Sequence, residues 1–167
     1  MNEPPRLDKM SSEQSIVYDV IEKGENAIVD ACAGSGKSTT ILSIASGISK
    51  KQFIQLTYNS MLCSEIKTKA ENLKLDNIKI YTYHSLAVRY YLPDAHTDTV
   101  LRQIIRKNIP PRVPIPSFDV LVIDEAQDKT FLYFRFLIKF CRDMGKPIQI
   151  LVLGDYMQGL YDFKGAD

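Results

Sequence analysis

The sequence predicts an α/β fold in which helices cover both faces of a central, mostly parallel β-sheet. Short and almost wholly apolar runs alternate with segments of helical periodicity along most of the chain. A strand that is buried on both faces must be apolar at nearly every position, which is typical of parallel sheets. The 167 residues, 45% of them hydrophobic and 25% charged, are enough for one ordinary domain with a single core.

The predicted strands are apolar runs, and the predicted helices are the periodic segments between them. The strands are Ala27–Val29, Phe53–Thr57, Ile78–Tyr81, Val120–Ile123 and Ile148–Leu153. The helices are one that is capped by Ser11 or Ser12 and ends near Gly24, then Thr39–Ile48, Ser60–Leu73, one starting at Ser85, Thr99–Lys107 and Phe131–Arg142.

Two segments break this alternation. Residues 1–10 include Pro4 and Pro5 and are predicted to be an irregular lead-in to a domain that spans residues 11–167. Residues 109–116, IPPRVPIP, can form neither a helix nor a central strand. We therefore expect a small insertion at about residues 87–117 on one edge of the domain.

Composition restricts the class of protein. The net charge of +1 neither predicts nor excludes a nucleic-acid partner, and the lysines in the middle of the chain are explained equally well by a solvated face. Cys32, Cys63 and Cys141 are far apart, which argues against a disulfide scaffold or a zinc site and suits a reducing compartment. No apolar run approaches the roughly 20 residues that cross a bilayer. We expect a soluble, intracellular protein with no membrane partner.

A glycine-rich segment follows the first predicted strand. Residues 31–38, ACAGSGKS, fit the Walker A pattern, with Ala31 in place of the leading glycine. Glycines at 34 and 36 let successive N–H groups point at phosphate oxygens, beside the partial positive charge of a helix N-terminus. Lys37 would bridge the β- and γ-phosphates, and Ser38 would ligate Mg²⁺. The predicted nucleotide-binding residues are Ala33, Gly34, Ser35, Gly36, Lys37, Ser38 and Thr39.

Two adjacent carboxylates follow the most apolar strand. In VLVIDEAQD, residues 120–128, Asp124 and Glu125 come directly after the strand. Ligands of parallel sheets bind beyond the carboxyl ends of the strands, so Asp124 is expected beside the phosphate loop, where it can hold Mg²⁺. Glu125 would accept a proton from the attacking water. Together, the two motifs predict that the chain binds a nucleoside triphosphate with magnesium.

Four further segments carry a resemblance to a family. DEAQD at 124–128 resembles motif II of the UvrD/Rep-type, superfamily 1 DNA helicases, and GDYMQGLYDFKGA from 154 resembles their motif III. TYHSL at 82–86 and LTYN at 56–59 are similar to two more of their motifs, and Gln14 matches the Q motif. Within this family, the sequence resembles the F-box DNA helicase branch in particular, at Tyr58-Asn59 and at Leu86-Ala87. The motifs occur in the order of the family.

The resemblance implies a RecA-like domain and a role for individual residues. Gln14 would read the adenine edge of ATP, and Gln158 would sense the γ-phosphate. The residues implied to contact single-stranded DNA are Tyr58, Asn59, His84 and Phe163. Taken alone, Phe163 could be a core ring, His84 could cap a helix and Tyr58 could pack at a strand end.

The resemblance also implies a second RecA-like domain, which carries motifs IV to VI and the arginines that stabilise the transition state. These 167 residues contain no such domain, so we expect it in cis in a longer product or in trans from a partner. The chain by itself is expected to be an incomplete motor. Two alternatives remain open: a non-catalytic ATP- or DNA-binding module, and a P-loop kinase, which would leave Gln127, Gln158 and residues 161–166 without a purpose.

Overall fold

A computed structural model describes residues 11–30, 37–124 and 131–154, which form five strands and six helices. The strands are β1 (Ala27–Asp30), β2 (Phe53–Thr57), β3 (Ile78–Thr82), β4 (Val120–Ile123) and β5 (Gln149–Gly154). The helices are α1 (Ser12–Glu22), α2 (Lys37–Gly47), α3 (Ser60–Asn72), α4 (Tyr83–Tyr90), α5 (Asp98–Arg106) and α6 (Phe131–Met144).

The five strands form one sheet in the order β1-β5-β4-β2-β3. Every pairing between the described strands is parallel, so their carboxyl ends lie at the same edge of the sheet. β5, the last of the described strands in sequence, lies between β1 and β4. This order brings the strand before the predicted phosphate loop within two positions of the strand before Asp124.

Helices cover both faces of the sheet, as the apolar runs predict. One core contains residues of α1, α2 and α3, including Ile21, Ile44 and Ile66, packed on alternate positions of β2 to β5. The other core contains residues of α4, α5 and α6, including Leu86 and Phe136, packed on the remaining positions. The predicted α/β class with a parallel sheet is confirmed.

Hydrogen bonds at the helix ends explain where the predicted boundaries differ from the observed ones. Ser11 caps α1 as predicted, and Gly24 follows that helix with φ +87°, a conformation that favours glycine. Helix α4 begins at Tyr83 rather than at the predicted Ser85. Thr82 is its N-cap and accepts from the Ser85 N–H at 3.1 Å, while the Ser85 hydroxyl accepts from the Thr82 N–H at 2.8 Å.

The segment at 87–117 contributes to the core that is formed by α4, α5 and α6. Leu101 and Ile104 of α5 are buried in it, and Ile109, Val113 and Ile115 of the proline-containing run pack against it. The Arg112 N–H donates to the Tyr90 carbonyl at 2.8 Å, which fixes this run against the end of α4. No helix in the described part of the chain combines the length and apolar character needed to cross a membrane.

Candidate functional site: a nucleotide edge and an adjoining aromatic cleft

Most groups of the predicted nucleotide site lie outside the described residues. These are residues 31–36, Glu125 and Gln158, and the same holds for Phe163. The structure does place the elements on either side of the phosphate loop. β1 ends at Asp30, and α2 begins at Lys37, where the helix continues through Ser38 and Thr39. The loop therefore joins the carboxyl end of a parallel strand to the N-terminus of a helix, as a phosphate site requires.

Asp124 follows β4 at the same edge of the sheet. Its N–H donates to the Leu56 carbonyl at 3.0 Å, so the backbone here is held to the end of β2. The residue is only 2% exposed. One strand separates β4 from β1, which corresponds to about 10 Å at the usual strand spacing.

The described part of the site offers one carboxylate for a metal ion. Within residues 11–30, 37–124 and 131–154, no group of three His, Cys, Asp or Glu side chains could hold an ion by itself. A buried Asp124 at the carboxyl edge nevertheless fits Mg²⁺, which binds through one or two carboxylates together with substrate phosphates. The assignment of Ser38 and Asp124 as magnesium ligands stays a prediction.

Gln14 connects α1 to the helix that follows the phosphate loop. Its Nε2 donates to the Thr40 Oγ1 at 2.7 Å, and its Oε1 accepts from the Ser11 N–H at 3.0 Å. A glutamine amide has two N–H donors and two acceptor lone pairs, so each atom retains one position for a ligand. If Gln14 binds the adenine edge of ATP, as predicted, it does so from the position in which its hydrogen bonds to Thr40 and Ser11 hold the amide.

Two of the predicted DNA contacts, Tyr58 and His84, line one cleft. It has a volume of about 360 Å³ and opens where β2 and β3 end, and its lining is Tyr58, Ser60, Thr82, Tyr83, His84 and Tyr133. Tyr58 is 53% exposed, so its ring is accessible to a ligand. Among these lining residues there is no lysine or arginine. The cleft thus offers ring faces and hydroxyls rather than cations for phosphate.

The rings of the cleft are arranged around Tyr133. The Tyr83 ring stacks on it with centroids 4.7 Å apart and planes inclined by 18°. Tyr58 and His84 approach it with centroids at 5.9 Å, tilted by 56° and 90° respectively. Offset and edge-on arrangements of this kind are favourable for aromatic pairs. Tyr133 is consequently held on three sides by residues of β2–α3 and α4.

Burial and neighbouring ionisable groups raise the pKa of two phenols of the cleft, Tyr83 and Tyr133. Burial raises the pKa of Tyr83 far above its usual range, and the charges of Tyr133 and Asp124 raise it further. Burial and the hydrogen bond to Asp98 raise the pKa of Tyr133 to about 12. The contribution of Asp124 to the raised pKa of Tyr83 indicates that this carboxylate lies near the cleft.

The other predicted DNA contact among the described residues, Asn59, is the N-cap of α3. Its Oδ1 accepts from the N–H groups of Met61 and Leu62 at 2.8 and 3.3 Å, which leaves the amide Nδ2 for a ligand. His84 does not cap α4, because Thr82 does so. Its Nε2 instead lies 2.9 Å from Asp98 Oδ1.

Two residues of the cleft region carry no signal in the sequence. Tyr133 lies in an aromatic run, FLYFRF, from residue 131, where several rings are equally good candidates. Asp98 lies 14 residues after His84 and 35 before Tyr133, and its position at the start of a helix has an ordinary structural explanation. Only the packing of α5 and α6 against α4 brings them together.

Comparison with families and curated proteins gives one match. A family model described as an AAA domain matches residues 14–164, which is most of the chain. No curated protein has a significantly similar sequence.

Solved structures share the fold. A nuclease-deletion mutant of the Type ISP restriction-modification enzyme LlaGI, in complex with a DNA substrate mimic, superposes with a TM-score of 0.55 at 13% identity, over 89% of this chain and 17% of that one. The Pyrococcus furiosus Hef helicase domain superposes with a TM-score of 0.53 at 14% identity, over 90% of this chain and 32% of that one. The Sulfolobus solfataricus SWI2/SNF2 ATPase core in complex with dsDNA superposes with a TM-score of 0.55 at 13% identity, over 92% of this chain and 34% of that one.

These similarities confirm the RecA-like α/β fold of helicase ATPase cores. At such identities they show the fold alone. The chain spans between 17% and 34% of the length of the three structures.

Proposed function

Since this chain belongs to the AAA domain family, we propose that it is the ATP-binding motor half of a UvrD/Rep-type, superfamily 1 DNA helicase or translocase. In this function it binds Mg-ATP at the carboxyl edge of β1 and β4, and it binds single-stranded DNA at the aromatic cleft. We assign the F-box branch on the same motifs, as the finer part of the proposal.

The observation that supports the nucleotide site best is the strand order. β1 and β4 end at the same edge with β5 between them, so the start of α2 at Lys37 follows a strand that ends at the same edge as the strand before Asp124. A separation of about 10 Å suits a triphosphate with its metal ion. Lys37 would hold the β- and γ-phosphates, Asp124 and Ser38 would hold Mg²⁺, and Glu125 would take the proton of the attacking water. Gln158 would sense the γ-phosphate.

Magnesium would supply charge for the developing oxyanions of phosphoryl transfer. The chain would supply the positioning: a helix N-terminus for the phosphates and the buried Asp124, whose backbone N–H is held by the Leu56 carbonyl at the end of β2. The arginines of a second RecA-like domain, in cis or in trans, contribute about 10³–10⁵ in rate in P-loop enzymes. We therefore expect the 167 residues to bind Mg-ATP but to hydrolyse it slowly.

The cleft supports single-stranded rather than duplex nucleic acid. Its accessible ring is Tyr58, and its described lining has no cation to pair with a phosphate. An unpaired base can lie against an exposed ring whatever its sequence, whereas the bases of a duplex are stacked on one another. Phe163, which lies outside the described residues, would provide a further stacking ring.

Binding and hydrolysis by the purified chain test the proposal. We expect Mg-ATP binding that Lys37→Ala weakens at least about tenfold, and hydrolysis that single-stranded DNA stimulates. Tyr58→Ala should raise the Kd for a 12-nucleotide strand by about 5- to 100-fold, the range for loss of one base-stacking contact. Met61→Ala, a neighbouring exposed residue outside the cleft, is the matched control and should change this Kd by less than about twofold.

Two results would contradict the proposal. The nucleotide site would be wrong if the wild-type chain did not bind Mg-ATP. The motor assignment would be wrong if ATP bound but was not hydrolysed even with the second RecA-like domain supplied. That outcome identifies the non-catalytic alternative.

A further inference from the structure

One carboxylate joins two rings of the aromatic cleft. Asp98 Oδ1 lies 2.9 Å from His84 Nε2 and accepts a hydrogen bond from the Tyr133 hydroxyl at 3.1 Å. His84 belongs to α4, Tyr133 to α6 and Asp98 to α5. The same oxygen thus fixes the distance between two rings that come from different helices, and it comes from the segment at 87–117.

This arrangement determines the chemistry of His84. A carboxylate can only accept hydrogen bonds, so the proton of a neutral His84 lies on Nε2. The other nitrogen, Nδ1, is then an acceptor, and it becomes a donor only when the ring is charged. Tyr133 uses its hydroxyl proton on Asp98, which holds its ring in the stack with Tyr83. Asp98 lies outside the cleft lining, so it acts through these two side chains.

We propose that Asp98 is the positioning residue of the cleft: by accepting from both His84 and Tyr133, it fixes His84 and the buried ring on which Tyr58 packs, so that the exposed Tyr58 ring can receive an unpaired nucleobase. The proposal rests on the proposed single-stranded DNA binding. Asp98 itself touches no nucleic acid.

A simpler explanation for Asp98 makes a different prediction. It is the first residue of α5, after the N-cap Thr97, where any acid stabilises the positive end of a helix. If that were its only role, removing it would destabilise α5 but not reorient the rings. Removal of a negative charge near DNA would also tighten binding, because phosphate repulsion is relieved. Positioning predicts the opposite sign, which is weaker binding.

The experiment compares Asp98→Ala and Asp98→Glu with wild type in binding a fluorescent 12-nucleotide single strand. We expect Asp98→Ala to raise the Kd by about 3- to 10-fold, as a stacking contact is weakened rather than lost. Asp98→Glu keeps the charge at the helix N-terminus but moves the carboxylate, and we expect a rise of about 2- to 5-fold. The Kd for Mg-ATP should not change. Asp94→Ala, an exposed acid in the same segment, controls for charge and should leave the Kd equal or lower.

A second background separates positioning from stability. In a His84→Ala/Tyr133→Phe chain the partners of Asp98 are absent, so Asp98→Ala should there change the Kd by less than about 1.5-fold. A full effect in that background would overturn the proposal, and so would wild-type affinity in both Asp98 variants. If the wild-type chain bound no single-stranded DNA, the proposed function itself would fail. Thermal unfolding of each variant confirms that it is folded at the assay temperature.

Discussion

The ring of Tyr83 lies against that of Tyr133, with centroids 4.7 Å apart and planes only 18° from parallel. Tyr83 is buried at the start of α4, and the charge of Asp124 contributes to the rise of its pKa. Tyr83 therefore lines the aromatic cleft, while its surroundings include Asp124 at the carboxyl edge of the sheet. We therefore predict that a change of charge near Asp124, such as the binding of Mg-ATP at the proposed nucleotide site, is felt by Tyr83.

Replacement of Tyr83 by Phe should weaken the effect of bound nucleotide on the affinity for single-stranded DNA. The phenyl ring preserves the stack on Tyr133, so the Kd for single-stranded DNA without nucleotide should stay within about twofold of wild type. The change in that Kd on adding a Mg-ATP analogue should fall by about 3- to 10-fold, within the usual range of coupling between sites. Fluorescence anisotropy with and without nucleotide measures both quantities.

Tyr90→Phe is the matched control for this experiment, since Tyr90 lies on the same helix and its ring contacts Tyr81 and Phe140 instead. We expect wild-type coupling for it. Equal loss of coupling in both variants would mean that α4 as a whole, and not Tyr83, is responsible.

Replacement of Gln14 by Ala should reduce the preference for ATP. The variant loses the bond to Thr40 and the amide that is proposed to contact adenine, so the Kd for ATP should rise by about 3- to 10-fold and that for GTP should change little. Ser11→Ala is the control. It removes the cap of α1 and should cost about 1 kcal/mol of unfolding free energy, with the ATP-to-GTP ratio unchanged. An unaltered ratio in Gln14→Ala would refute the adenine role.

Asp119→Asn should lower stability in a manner that depends on pH. The Asp119 carboxylate accepts from the Gln52 N–H at 2.7 Å and from Lys146 Nζ at 2.9 Å. Partial burial would raise the pKa of this group, but these two contacts outweigh burial and hold the pKa below the ordinary 3.8. A lowered folded-state pKa stabilises the protein above the ordinary value, and this stabilisation is lost as the pH falls through the folded-state pKa.

Urea unfolding from pH 7 down to pH 3 measures this difference. The free energy of unfolding of Asp119→Asn should be lower than that of wild type by about 1 kcal/mol or less near neutral pH, because the pair is partly exposed. The gap should narrow only below about pH 4. A gap that is constant over the whole range would show that the charge of Asp119 is not involved.

Lys139→Ala should strongly destabilise the domain. Lys139 is 3% exposed, and its Nζ donates to Asp143 at 2.8 Å and to Asn108 at 3.1 Å. Its removal leaves a carboxylate largely buried, with the Tyr91 hydroxyl at 2.6 Å as a neutral donor. We expect a loss of about 3–5 kcal/mol in urea unfolding. The control Lys146→Ala removes the partly exposed partner of Asp119 and should cost about 0–1 kcal/mol. Similar losses of unfolding free energy in Lys139→Ala and Lys146→Ala would contradict the idea that burial makes the Lys139 contacts more important.

The five strands and six helices of the described residues could be predicted from the sequence, because a strand buried on both faces requires an apolar run and each run here is flanked by helical periodicity. Their ends shifted by a residue or two where a cap such as Thr82 decides the boundary. The order of the strands could not be predicted, since nothing in the spacing shows that β5 inserts between β1 and β4. The same is true of Asp98, whose partners depend on how three helices pack.

The place of β5 also has a consequence for synthesis of the chain. Among the described strands, β1 is paired only with β5, and these two segments are separated by more than a hundred residues. On the ribosome, β2, β3 and β4 can associate as soon as they emerge, while β1 must wait for β5. Contacts between such distant segments form slowly. We therefore expect the nascent protein to keep an apolar edge exposed until residues 149–154 have emerged from the ribosome.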